Sequence, residues 1–121
     1  KHDIHVTAYS PLGSLDRPDR LKKASNPVPL EDPVIQSIAK VHNCSPAQVL
    51  ITWAIQRGTA VIPKSTNEGR LRQNFEAENI ELSADEIEQI RGLDLATRII
   101  DGGVFTVEGS PYTYENLWDE A

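Results

Sequence analysis

The sequence predicts an α/β fold built around a parallel sheet, and three observations carry this. Residues 4–9, IHVTAY, alternate apolar Ile4, Val6 and Ala8 with His5, Thr7 and Tyr9, the period-two signature of a strand. A second apolar stretch, Ala60, Val61, Ile62 and Pro63, has a helical pattern directly before it and another directly after it. Helix feeding strand feeding helix is the order from which parallel sheets are assembled. Finally, each helical pattern opens on an explicit start signal.

In chain order, Ser10-Pro11-Leu12-Gly13 stops the first strand with turn residues. Residues 14–31 then hold Asp16, Arg17, Pro18, Asp19, Arg20, Lys22, Lys23, Asn26, Pro27 and Pro29 without periodicity. An unstructured stretch of this length is either a mobile loop over a binding site or a linker. Asp32-Pro33 opens a helix as N-cap and first residue, with Val34, Ile35, Ile38, Ala39 and Val41 as its apolar face and Asn43 ending it. Ser45-Pro46-Ala47-Gln48 is a capping box. The helix behind it carries Val49, Leu50, Ile51, Trp53, Ala54 and Ile55, apolar on more than one face, so it is predicted to be buried. Arg57 and Gly58 supply a cation for its dipole and the residue suited to its C-terminal turn.

After the strand at 60–63, Asn67 is the N-cap of a helix covering at least residues 68–74. Residues 75–80 read as irregular. Ser83-Ala84-Asp85-Glu86 is a further capping box, with Ile87, Ile90 and Leu93 facing inward and Asp85 and Glu86 in the first turn, where the dipole favours them. Residues 94–121 form a tail with Gly102, Gly103, Gly109 and Pro111. Its aromatics, Phe105, Tyr112, Tyr114 and Trp118, are read as anchors onto the body, with pocket walls as the alternative.

A chain of 121 residues, 39% hydrophobic and 25% charged, accommodates one globular domain. Its net charge of -6 disfavours nucleic acid as a partner. The single cysteine, Cys44, excludes an intrachain disulfide and a cysteine-based structural zinc site, and it fits a reducing compartment such as the cytoplasm. No apolar run approaches the ~20 residues of a membrane span, and no signal-peptide pattern is present. The chain starts without Met and close to a strand, which leads us to expect a piece cut from a longer protein. His2 and His5 fall on opposite faces of a strand, and with His42 they read as solvated or core-satisfied imidazoles rather than metal ligands.

The chemistry concentrates in residues 60–74, AVIPKSTNEGRLRQN. A short strand runs into a helix N-terminus, and the junction carries Lys64, Ser65, Thr66, Asn67 and Arg70. Unpaired N–H groups at a helix start favour an anion, and a Lys before the helix with an Arg one turn in makes phosphate the guest to test. An ordinary solvated strand-to-helix loop holds the same residue types, so the local pattern leaves both readings open.

Longer-range order narrows the choice. VTAYSPLGS at 6–14, EDP at 31–33, PAQVL at 46–50 with Trp53 and QRG at 56–58, VIPKS at 61–65 with Arg70 and QNF at 73–75, and ELSADE at 81–86 together resemble the C-terminal part of an aldo-keto reductase. The resemblance covers nearly all of residues 4–95. It implies the last two βα units, plus a tail, of a (β/α)8 barrel with ligands at the C-terminal ends of its strands. A closed barrel needs ~200–250 residues, so the resemblance also implies a partial domain: residues 1–95 from the barrel and 96–121 as C-terminal tail.

By the same resemblance, Tyr9 matches the tyrosine that stacks on the nicotinamide. Ser10, Leu12 and Ser14 match the loop along the pyrophosphate, and Asp16 the acid that clasps it. Lys64, Ser65 and Arg70 match the group around the adenosine 2′-phosphate, and Asn74 an adenine contact. Asn67 stands where the family often has Thr, and Gln73 where it often has Glu; both can still hydrogen-bond. The implied cofactor is NADP(H) and the implied activity is reduction of a small-molecule aldehyde or ketone. No GxGxxG is present, so a Rossmann site is not the route. The family's catalytic Asp, Tyr, Lys and His set is expected upstream of Lys1, and neither Tyr9 nor Lys64 takes that role. The alternative is a non-catalytic binding module or remnant that lacks the set.

Overall fold

The computed structural model describes residues 3–23 and 26–118, with Arg20 described for its backbone alone. Two short strands, β1 (Thr7–Tyr9) and β2 (Ala60–Ile62), pair in parallel, Thr7 opposite Ala60 and Tyr9 opposite Ile62. The crossover between them contains α1 (Pro33–Val41) and α2 (Pro46–Gln56). Beyond β2 come α3 (Glu68–Glu76), α4 (Ala84–Arg91) and the single-turn α5 (Tyr114–Leu117). The parallel α/β order read from the sequence is therefore present. Among the described residues, no helix is long and apolar enough to cross a membrane.

Local chemistry starts α1 to α4 as predicted. Asp32 Oδ1 accepts from the N–H of Val34 at 2.8 Å, and Pro33 follows where no N–H is needed. Ser45 and Gln48 close a reciprocal box, as do Ser83 and Glu86. Asn67 Oδ1 accepts from Arg70 N at 3.0 Å. After Arg57, Gly58 takes φ +82°, a left-handed conformation that side chains resist.

The core is a helical layer. Ile35, Ile38 and Ala39 of α1 meet Val49 and Leu50 of α2, with Leu82 and Ile90 closing the cluster. Ile35, Val49 and Ile51 are almost wholly buried, each contributing about 1.5–3 kcal/mol relative to exposure. The sheet is thinner. Ala8 and Val61 are half-buried, whereas Tyr9 and Ile62, on the opposite face, are 63% and 60% exposed.

Several expectations need correction. The first strand spans three residues rather than 4–9, because its partner offers only three residues to pair with; Val6 adds one bond, its carbonyl accepting from Ala60 N at 3.0 Å. Residues 75–80 are not irregular: α3 runs to Glu76 and a 3₁₀ turn, Ala77–Asn79, follows. Val41 is 75% exposed and does not join the inner face of α1. The next residue, His42, is half-buried and caps that helix. The tail is less irregular than its glycines imply, because Thr113 and Asn116 form a capping box that starts α5. Gly102 takes φ +78° and lies so close to Leu117 that a Cβ would collide with it. Of the tail aromatics, Trp118 is anchored, its Nε1 donating to the Asp101 carbonyl at 2.9 Å, while Phe105, Tyr112 and Tyr114 are exposed. His2 lies outside the described residues.

His42 also joins α1 to α4: its Nε2 lies 2.8 Å from Glu86 Oε1. The other oxygen of Glu86 accepts from the N–H and hydroxyl of Ser83. Burial pushes the Glu86 carboxyl up, but the Ser83 bonds and His42 outweigh it and hold the group below its ordinary value of 4.5. A depressed folded pKa contributes stability in full above the ordinary value and loses it as pH falls through the lowered one. Replacing Glu86 with Gln is therefore expected to flatten the loss of stability on acidification below pH 4.5, read as urea midpoints across the acid range. Asp32→Ala is expected to cost about 1 kcal/mol at neutral pH in the same assay, and Asp32→Asn much less.

Candidate functional site

The sequence candidates lie on three segments beside the sheet: the end of β1 with its following turn, the loop from Ser14, and the β2–α3 junction. Tyr9 ends β1 and is exposed. Ser10 and Ser14 both take left-handed backbone angles, φ +51° and +52°. Non-glycine residues held there cost about 1–3 kcal/mol each, and such strain clusters at binding sites. Leu12 is set apart from them. It packs against the hydrophobic core, so its side chain supports the turn.

For the loop after this turn the sequence predicts a mobile cover or a linker. It is neither structureless nor extended, because Arg17 folds it on itself. The guanidinium donates to the carbonyls of Gly13 and Ser14 at 3.0 Å each, to Leu21 O at 3.1 Å and to Asn26 Oδ1 at 2.6 Å. Asn26 Oδ1 also accepts from Lys23 N at 2.8 Å. One side chain therefore joins the start of the loop to its end, around a 3₁₀ turn at Asp19–Leu21. In the sequence Arg17 is one more loop charge. Its role could not be read there, because it depends on five residues meeting in space.

The loop is tied to the β2–α3 junction by Asp16. Its Oδ2 lies 3.0 Å from Lys64 Nζ, with the two side chains 67% and 71% exposed. The Lys64 hydrogen bond and charge hold the Asp16 carboxyl below the usual carboxylate range. Ser65 Oγ accepts from Asn67 N at 3.1 Å, and Asn67 Oδ1 caps α3 through Arg70 N. The amide oxygen of Asn67 is thus committed to the helix, which leaves its N–H groups as donors to a guest. Arg70 is exposed, with no side-chain ion pair among the described residues. Gln73 and Asn74 follow three and four residues later, on the same stripe of α3. Glu68 shares the first turn and lies 3.9 Å from Arg72. Lys64, Ser65 and Arg70 thus stand close in sequence around the start of α3, residue types suited to an anion at a helix N-terminus.

A cleft of about 400 Å³ adjoins the other end of this row, between Tyr9, Ser10 and Ser14 on one side and Arg98, Ile99, Ile100 and Trp118 of the tail on the other. The Arg98 guanidinium stacks on Trp118 at 4.5 Å. A larger groove of about 1060 Å³ separates α1, α2 and α4 from residues 93–99, but none of the candidate residues lines it. Of the candidate residues, Tyr9, Ser10 and Ser14 line the smaller cleft, whereas Lys64, Ser65 and Arg70 do not. Cys44 lies elsewhere, half-buried, its thiol pushed up by burial and by Glu86. Among the described residues, no cluster of His, Cys, Asp and Glu could hold a metal ion.

The model of the Aldo/keto reductase family matches residues 1–95. An aldo/keto reductase of Synechocystis sp. is 53% identical over 118 residues, covering 98% of this chain and 36% of that protein. Aldo-keto reductase family 1 member A1 of Sus scrofa is 42% identical over 106 residues, 88% of this chain and 32% of that protein. An Aspergillus terreus protein named "Probable NAD(P)H-dependent D-xylose reductase xyl1" is 46% identical over 103 residues, 84% of this chain and 32% of that protein. The chain thus spans about a third of the length of these relatives.

If Arg17 holds the loop in shape, Arg17→Met is expected to speed amide exchange in residues 13–23 by about tenfold or more, the equivalent of one charge-assisted hydrogen bond. Exchange measured by mass spectrometry in the core helix Pro46–Gln56 is expected to stay unchanged.

Proposed function

The chain belongs to the aldo/keto reductase family, and from that premise we propose that it is the cofactor-holding part of an NADPH-dependent reductase of aldehydes and ketones. In this reading the family's (β/α)8 barrel takes its last two βα units from residues 1–95, and residues 96–121 are the C-terminal tail. The observation that carries it is the β2–α3 junction: Lys64, Ser65 and Arg70 at the start of a helix, with Asp16 of the loop bonded to Lys64.

The donor set fits the guest. A 2′-phosphate is dianionic, and two cations with a helix N-terminus and a hydroxyl match it. A site for NADH would more often place an acid against the ribose. Asn67, Gln73 and Asn74 offer the amide donors and acceptors that an adenine edge needs. Toward the other end, Ser10, Leu12 and Ser14 shape the turn that follows the pyrophosphate, and Tyr9 offers an exposed ring for the nicotinamide to stack on. NADPH bound here supplies the hydride that turns a small-molecule carbonyl compound into an alcohol. The chain's own part is to hold, orient and shield. Lys64 and Arg70 neutralise the phosphate, the Asp16–Lys64 pair holds the loop beside it, and the Tyr9 cleft receives the ring. None of these residues is assigned as the acid that protonates the carbonyl oxygen. A cytoplasmic setting suits both this cofactor and the lone Cys44.

Arg70→Ala or Lys64→Ala, made in the full-length protein, is expected to weaken NADPH by about 10- to 100-fold, the scale of one charge-assisted hydrogen bond. NADH lacks the 2′-phosphate and is expected to weaken much less. Titrating both cofactors by quenching of intrinsic fluorescence measures the ratio. Equal losses, or none, would show that these residues do not read the 2′-phosphate.

A further inference from the structure

The loop has a second tie, to the tail, and the candidate motifs do not include it. Lys23 Nζ lies 2.6 Å from Asp101 Oδ2. The other carboxylate oxygen of Asp101 accepts from Gly103 N at 3.0 Å, and its main-chain carbonyl accepts from Trp118 Nε1 at 2.9 Å. Asp101 thus touches the loop, its own turn and a wall of the Tyr9 cleft at once.

We propose that Asp101 is a positioning residue that joins the Asp16–Lys64 loop to the Trp118 wall of the cleft, so that the phosphate clasp and the cleft are set together. The inference rests on the cofactor reading above and extends it to regulation of the same site. The contacts form a continuous path. Lys64 pairs with Asp16, and the adjacent Arg17 holds Asn26. Asn26 Oδ1 fixes the backbone of Lys23, and Lys23 pairs with Asp101. Asp101 then holds Trp118, on which Arg98 stacks. The middle of the path is one hydrogen-bonded unit, and an ion pair joins it to the β2–α3 junction on one side and to the tail on the other. The side chains of Lys23 and Asp101 are 64% and 33% exposed, so the tie is breakable. Lys23 and the Gly103 N–H hold the Asp101 carboxyl below the usual range, so it stays charged at neutral pH.

The test uses the full-length protein and three variants. Asp101→Asn removes the charge but keeps an oxygen for Gly103 and the carbonyl for Trp118. Lys23→Met removes the cation and keeps the stem, and the third variant combines both. Amide exchange without cofactor reads the tie by itself. Asp101→Asn is expected to speed exchange in the loop at 13–23, and Lys23→Met to speed it in the tail at 98–118. Stopped-flow release of NADPH is expected to quicken by about two- to fivefold in each single variant, the scale of a partly exposed ion pair. The double variant is expected to be no faster than either single one, which a merely structural role for each residue would not give. Reciprocal exchange effects would support the tie even if NADPH proved not to bind, in which case the cofactor reading alone would fail. Exchange confined to the mutated segment, or additive release rates, would overturn the proposal.

Discussion

A helix with apolar residues on more than one face needs cover on more than one side, and Pro46–Gln56 is such a helix, although Ile55, 42% exposed, escapes that cover. Gln48, Val49, Leu50, Ile51, Thr52 and Ala54 are all buried, a run too long for a single apolar stripe. The helix is met by α1 on one side, by β2 and by α3, and by the 3₁₀ turn that follows α3. Its polar atoms then act as locating pins. Thr52 Oγ1 donates to Ala77 O at 2.8 Å, and the Gln56 amide both donates to Leu82 O and accepts from Leu82 N. A buried hydroxyl left without a partner is costly, so Thr52 fixes the chain at Ala77 on α2, and the two bonds of the more exposed Gln56 hold Leu82 beside it. With that stretch fixed behind it and β2 fixed before it, the start of α3 has little freedom. The cations at the β2–α3 junction are thus placed by apolar burial some distance away.

The sheet depends on the same helix and returns less. Three residue pairs of parallel ladder are a weak structure alone, and the face carrying Tyr9 and Ile62 is largely open. Parallel sheets are ordinarily covered on both faces. An open face on a chain a third the length of its relatives is what a portion of a larger α/β unit presents.

What the sequence revealed and what it hid divide along the distance between partners. Asp32, Ser45 with Gln48, Asn67, and Ser83 with Glu86 each work within one helical turn, so their residue types at those spacings were enough to read four helix starts. The cap of α5 is also local, but Thr113 with Asn116 departs from the usual pattern of Glu or Gln and passed unnoticed. The position of Lys64, Ser65 and Arg70 around a helix start was legible for the same local reason. The contacts that organise them were not. Asp16 meets Lys64 across 48 positions, His42 meets Glu86 across 44, and Lys23 meets Asp101 across 78. Charges at such separations look like solvated loop composition until the fold joins them. Strand length was overstated for a related reason: alternation says which residues can pair, but a ladder extends only as far as its partner.

The loop between Gly13 and the 3₁₀ turn at Pro29–Glu31 shows how these scales combine. Its shape comes from Arg17, a half-buried cation serving four acceptors, and such bonds to a charged donor are among the stronger ones. Its attachment comes from Asp16–Lys64 and Lys23–Asp101, pairs with mostly exposed side chains that solvent and salt weaken. The two energies are unequal, so the attachments give way before the shape does. A loop that keeps its shape while its attachments open would spend little conformational entropy on closing again. Under the proposed reading this is what a clasp over a cofactor requires, because the cofactor has to leave after each turnover and return to a site already in shape.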